Sequence, residues 1–302
     1  MKTGLIFLTR FILLTALYFI CFAVVSGALI SVPASQTPSD QANAGLALFV
    51  VSLLNTAVLG YVILRSRWGG WKLIIAVFLV YFGIVTVMSQ IETAFFISRL
   101  PAGMLPRIIL AGALFAALFS PLAVLILGKR RSPAPDARLA SRLKMPGREW
   151  LWKGLLIIVA YLVLYFTFGY FIAWRNPAVR TYYGGSDPGG FFLQLSGTFR
   201  DMPWLFPLQA LRAVLWTALA ALIVHLLKGR WLEAGLAVAL SFSVVMNSQL
   251  LIPNPFMPPE VRMAHLLETT TSNFIFGCFV VWILSRGRTR LNKRGASAQS
   301  DE

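Results

Sequence analysis

Charge is scarce in this chain, and acid is scarcer than base. Only 13% of its 302 residues are charged, about half the share in a soluble domain, and just 11 are Asp or Glu. That excludes an ordinary solvated surface. Cysteine and histidine occur twice each, which excludes a disulfide framework or a Cys/His metal knot as the organising device. Cys21 and Cys278 both fall in apolar stretches and read as small packing residues. There is no phosphate loop, nucleophile elbow or zinc-protease helix. There is no series of alternating ten-residue segments either, as a transmembrane barrel needs.

Uninterrupted hydrophobicity fills the space left: 58% of the residues are hydrophobic. Eight blocks, near 5–31, 44–64, 73–97, 107–127, 150–173, 203–227, 231–251 and 264–284, reach the roughly 20 residues that cross a hydrocarbon core. Lipid offers the backbone no hydrogen-bond partners, so each block must be helical. The fold class expected is therefore an all-α integral membrane protein with eight transmembrane helices. The first block is longer than a signal core. Its Cys21 follows "LYFI" rather than the small residues that precede a lipidated cysteine. It is expected to be retained as the first helix.

The base that is present is unevenly placed. With a cytoplasmic amino terminus, the inward segments hold 20 of the 27 Lys and Arg. The first outward loop, "SVPASQTPSDQA", holds none. This bias predicts both termini inside, in the cell inner (cytoplasmic) membrane. The stretch "GKRRSPAPDARLASRLK" then stops transfer and meets anionic headgroups at the cytoplasmic face of the bilayer. No aromatic interleaving or folded module accompanies it, so no nucleic acid is expected as a partner.

Order repeats along the chain. "YVILRSRWGGW" followed by "VMSQIETAFF" is matched by "IVHLLKGRWLEAG" followed by "VMNSQLLIP". A proline-bearing turn then leads through Arg107 or Arg262 into a last helix ending in "VLILGKRR" or "VWILSRGR". Two four-helix repeats are expected, 1–131 and 149–290, with a basic linker at 132–148 and a cytoplasmic tail at 291–302. Four crossings is an even number, so the repeats run parallel.

Counting along the helices at 1.5 Å per residue places the polar residues at one level. Glu92, Arg212, Asn247, Gln249, Arg262, His265 and Glu268 fall in the outward third, and Asn273 lies deeper. His265, Glu268, Thr269, Ser272 and Phe276 share one face of the last helix; Thr86, Ser89, Glu92, Thr93 and Phe96 share one face of the third. Carboxylates facing lipid cost at least a few kcal/mol, so these faces should turn inward. Arg212 is the natural partner of Glu268 or Glu92. Bland roles compete with functional ones: headgroup contact for His265 and Arg262, a structural ion pair for the carboxylates, interhelical bonding for "TTTS" and Asn273. One His with two carboxylates is a thin ligand set, and no metal is expected.

The long segment "RNPAVRTYYGGSDPGGFFLQLSGTFRDMPW" reads as an ordered loop carrying a short surface or re-entrant helix. As a lid it brings Arg175, Arg180 and Arg200 over the polar level. The functional expectation is a transporter-like or solute-binding protein, with a polar cavity near the extracytoplasmic face for a small molecule. Two alternatives stand beside it. One is an intramembrane enzyme acting on a lipid or lipid-linked substrate through His265 and Glu268; the other is a non-catalytic membrane subunit of a complex. Pro121 is the nearest approach to a break in a span.

Overall fold

The computed structural model describes residues 2–30, 38–96, 100–131, 139, 141 and 143–286. Most of the first outward loop, residues 132–138 of the expected linker and the 291–302 tail lie outside the described residues. The described residues form ten helices and no strand. In chain order these are α1 (Lys2–Leu29), α2 (Pro38–Leu64), α3 (Gly70–Phe96), α4 (Met104–Ile126) and α5 (Gly147–Trp174), then α6 (Pro177–Tyr183), α7 (Phe191–Asp201), α8 (Leu205–Leu226), α9 (Trp231–Leu251) and α10 (Pro259–Ser285). Eight of them, all but α6 and α7, are long and apolar enough to cross a membrane. The chain is a multi-pass, all-helical membrane protein.

Side-chain exposure runs opposite to that of a soluble bundle. Leu5, Phe7, Leu151, Val159 and Val163 stand exposed on α1 and α5, a surface that water would drive to aggregate and that lipid solvates. The interior holds large aromatics, with Trp216, Tyr18, Tyr81, Phe119, Phe242 and Phe276 all buried. Within it α1 packs on α2 and α4, and α5 packs on α8 and α10; α2 meets α9, and α3 meets α8. Where α9 meets α10 the backbones nearly touch. A methyl on Gly277 would sit 2.6 Å from the Ala239 Cα, so only glycine permits this approach.

One end of the bundle is a hydrogen-bonded basic seam. The turn after α2 pairs antiparallel with the turn after α8: Arg67 N donates to Leu226 O at 2.8 Å, and Lys228 N to Arg65 O at 3.1 Å. Arg67 Nε donates to His225 O at 2.7 Å. Lys129 Nζ donates to Ser66 O at 2.6 Å, and Arg65 pairs with Glu233. Burial holds the Lys129 ammonium below the usual lysine range, and Lys228 adds to the effect. These cations satisfy the carbonyls that helix ends leave open.

Three spans carry a wide π turn: Phe82–Val87 in α3, Gly169–Trp174 in α5 and Ser241–Val245 in α9. Nothing in the local sequence had marked them. Pro121 does not break α4, which runs unbroken from Met104 to Ile126. A π turn widens the ring of each hydrogen bond and re-aims the side chains beyond it. In α9 it leaves the Phe242 carbonyl to accept from Asn273 Nδ2 at 3.3 Å and Asn247 Nδ2 at 3.4 Å.

Candidate functional site

Opposite the basic seam, ionisable groups from separate helices meet. Arg212 stands two turns inside α8 with only 2% of its surface exposed. Its Nη1 donates to Glu92 of α3 and to Gln209 Oε1 at 2.8 Å, and its Nη2 reaches Met88 O at 3.4 Å. The guanidinium carbon stands 5.9 Å from the centre of the Tyr161 ring, on α5. Of the two partners the sequence offered Arg212, the structure selects Glu92. Gln209 lay outside the sequence reading. Its spacing of three residues from Arg212, which puts both on one helix face, was the available signal.

A second set sits on α10. His265 Nδ1 bonds Glu268 Oε2 at 2.8 Å, as a spacing of three on a helix allows. His265 Nε2 faces the Tyr183 hydroxyl at 3.2 Å. Tyr183 closes α6, a short helix capped by the Asn176 side chain, which accepts from Ala178 N at 2.9 Å. Burial, with Glu92 close by, holds the Tyr183 hydroxyl well above the usual tyrosine range. Glu268 lies against the start of the α5 π turn: a methyl on Gly169 would stand 3.4 Å from its Oε1. The Tyr161 ring of α5, which Arg212 overlies, packs on Phe276 of α10 with ring centres 4.9 Å apart and on Tyr165 at 6.3 Å. The two sets thus form one neighbourhood. The α5 tyrosines that join them lay in a block legible only as apolar.

The remaining candidates support these groups. Thr269 Oγ1 donates to Asn247 Oδ1 at 2.8 Å, and Asn247 Nδ2 donates to Ser243 O at 2.8 Å. Gln249 Nε2 donates to Ser89 Oγ at 3.3 Å, tying α9 to α3. Asn273 binds the α9 backbone at Phe242 and reaches Met246 Sδ at 3.4 Å. Arg262 is also buried, and its Nη1 donates to Leu250 O at 2.9 Å, closing the end of α9. Asn273 and Arg262 therefore bind backbone rather than one another or the acids. Arg180 turns onto its own segment, donating to Trp174 O at 3.0 Å and Arg175 O at 3.2 Å. The segment around it does carry the expected short helix, α7, none of whose residues is buried. Among the described residues no group of three or more His, Cys, Asp or Glu is placed to hold a metal.

A groove of about 430 Å³ lies elsewhere, on the outer surface of α1 and α2, lined by Phe11, Ile12, Phe19, Ile20, Phe49 and their neighbours. Its lining is apolar and suits an acyl chain of the surrounding lipid, not a polar solute. Fold and polar cluster together define a multi-pass membrane protein with a buried ionisable centre near one end of its spans. No family model, curated protein or solved structure matches the chain.

Proposed function

We propose that this chain is a transporter-like, solute-binding protein of the cytoplasmic membrane. In this reading two parallel four-helix repeats, 1–131 and 149–290, meet at the Glu92–Arg212 pair, and Glu268 with His265 completes the site. The reading rests on one observation above others: a buried arginine pairs with a part-buried glutamate to join α3 to α8, and a second ionisable pair stands on α10. Buried charge inside a membrane bundle is costly and tends to mark a pathway or a ligand. The repeat is supported by packing. In one half the first and fourth spans meet, α1 on α4, and in the other α5 on α10; across the halves α2 meets α9 and α3 meets α8. The π turns of α3 and α9 both end at the Val of a Val-Met pair, Val87-Met88 and Val245-Met246. Both termini face the cytoplasm, where the basic seam meets anionic headgroups. Asn247 and Gln249 steady the α9 wall of the site; Arg262 and Asn273 hold α9 and α10 in register.

The test is ligand-dependent thermal stabilisation of the purified full chain against a broad solute library, repeated with Glu92→Gln and Glu268→Gln. Solutes that stabilise the native chain and lose their effect in either folded variant support the reading. If both variants fold and no solute separates them from the native chain, the site has no binding role.

The Tyr183–His265–Glu268 chain favours a second reading. A carboxylate that orients a histidine toward a hydroxyl is the geometry of a general base, here acting on a lipid or lipid-linked substrate. Hydrolytic loss of a lipid headgroup that disappears with His265→Gln, while the solute library stays silent, decides for it.

A further inference from the structure

Arg212 is only half used. A guanidinium offers carboxylates a side-on edge, Nε with Nη2, from which two parallel N–H bonds reach two oxygens. Glu92 and Gln209 both occupy the far nitrogen, Nη1. On the side-on edge, Nη2 has only the long contact to Met88 O at 3.4 Å, and Nε has no acceptor although it is fully buried. Beside it Gln209 is 0% exposed, and its Nε2 also lacks an acceptor. The orientation of that amide follows from chemistry. Its other end accepts from Arg212, which has donors only, so the NH₂ must be the free end. Two buried donors on one face of α8 therefore stand side by side without acceptors; Trp216 Nε1, a turn further along that face, and Arg262 Nε on α10 are isolated donors in the same condition. Such donors cost free energy unless an acceptor reaches them.

We infer that Arg212 Nε and Nη2, with Gln209 Nε2, form the subsite for the carboxylate of the transported or bound solute. This deepens the solute-binding reading and rests on it. Glu92 stays on Nη1, and its side chain is 30% exposed against 3% for that of Arg212, so the pair is reached from the Glu92 side. Charge limits the solute further. Glu92 already balances Arg212, and Glu268 is already held by His265 Nδ1 at 2.8 Å, so even with that imidazole protonated each cation has its own carboxylate and a bare anion arriving here would be left without a counter-charge in a buried place. The solute therefore brings a cation with it. Either it is a zwitterion, whose ammonium shares Glu268 with a neutral His265, or it is a monocarboxylate that enters with a proton.

Four three-carbon probes test this on the purified full chain by thermal stabilisation: L-alanine, propionate, L-alaninamide and propionamide. Stabilisation by L-alanine alone supports the subsite and assigns a zwitterion. Stabilisation by propionate, strengthening as pH falls, supports it and assigns proton-linked carboxylate entry. Equal effects from acids and amides, or no effect from either acid, overturn it. Gln209→Leu removes one donor and should weaken the apparent Kd for the active acid by roughly tenfold, a single charge-assisted bond's share. Gln209→Glu lays a resident carboxylate against Arg212 and should abolish the effect while the chain still folds. Unchanged responses in both variants likewise overturn the assignment. Should other solutes of the broad library bind in a Glu268-dependent way while the acids do nothing, solute binding survives and the carboxylate subsite alone falls.

Discussion

Glu92→Gln is the most informative single change, because it leaves shape almost intact and removes one charge. Arg212 would keep Gln209 Oε1 at 2.8 Å and the long bond to Met88 O, but no anion in contact. Breaking a fully buried pair costs about 3–5 kcal/mol. Glu92 is 30% exposed, so part of that is screened, and roughly 2–3 kcal/mol is the expected loss. For a chain of this size that lowers the unfolding midpoint by about 3–5 °C. The assay is thermal unfolding in one detergent at one scan rate, followed by intrinsic fluorescence, with monodispersity checked before heating.

A triple variant tests the pair more stringently. Glu92→Leu, Gln209→Leu and Arg212→Met together replace the polar group by apolar side chains. Because a buried ion pair is worth little more than good apolar packing, the triple variant should come within ~1 kcal/mol of the native chain. It should also lose all response to solute, separating stability from function. A Glu92→Gln protein as stable as the native chain, or a triple variant less stable than Glu92→Gln, refutes the account of this pair.

Gly277→Ala places a methyl 2.6 Å from the Ala239 Cα, so α9 and α10 must part; a loss of about 1–3 kcal/mol is expected in the same assay. Gly154→Ala meets nothing within 4 Å and should be neutral or slightly stabilising. Glu233→Gln should change stability by less than ~1 kcal/mol, since both partners of the Arg65–Glu233 pair are more than a third exposed. Tyr183, held protonated by burial, contributes stability that is present below the unfolded tyrosine pKa of about 10 and lost as pH rises beyond it. Tyr183→Phe should therefore flatten the fall of the unfolding midpoint above about pH 10, and an unchanged slope there counts against it. With Cys21 and Cys278 replaced by Ser, a cysteine at the exposed Ser186 should react with an impermeant maleimide on whole cells. One at the exposed Arg230 should react only after permeabilisation; the reverse pattern inverts the proposed topology.

Span number and depth were legible because both follow from fixed lengths. About 20 apolar residues cross the core, and 1.5 Å per residue converts a count into a level. That arithmetic put Glu92, Arg212, His265 and Glu268 on one level, where they are found sharing a neighbourhood. Rotation about the helix axis was not legible, and α3 shows why. At an uninterrupted α-helical period Thr86, Ser89 and Glu92 share a face. The π turn over Phe82–Val87 ends between Thr86 and Ser89, and one extra residue in a turn shifts the following face by about 100°. Thr86 accordingly lies against Gly112 of α4, whereas Ser89 meets Gln249 of α9 and Glu92 meets Arg212 of α8. A regular helix that kept Thr86 on α4 would have swung Glu92 away from α8, leaving Arg212 buried without an anion. The π turn thus lets one span pack on α4 through its middle and hold a guanidinium of α8 at its end. Removing one residue from Phe82–Val87 should restore the regular period, destroy the Glu92–Arg212 pair, and reproduce the instability of Glu92→Gln with every side chain of the pair still present.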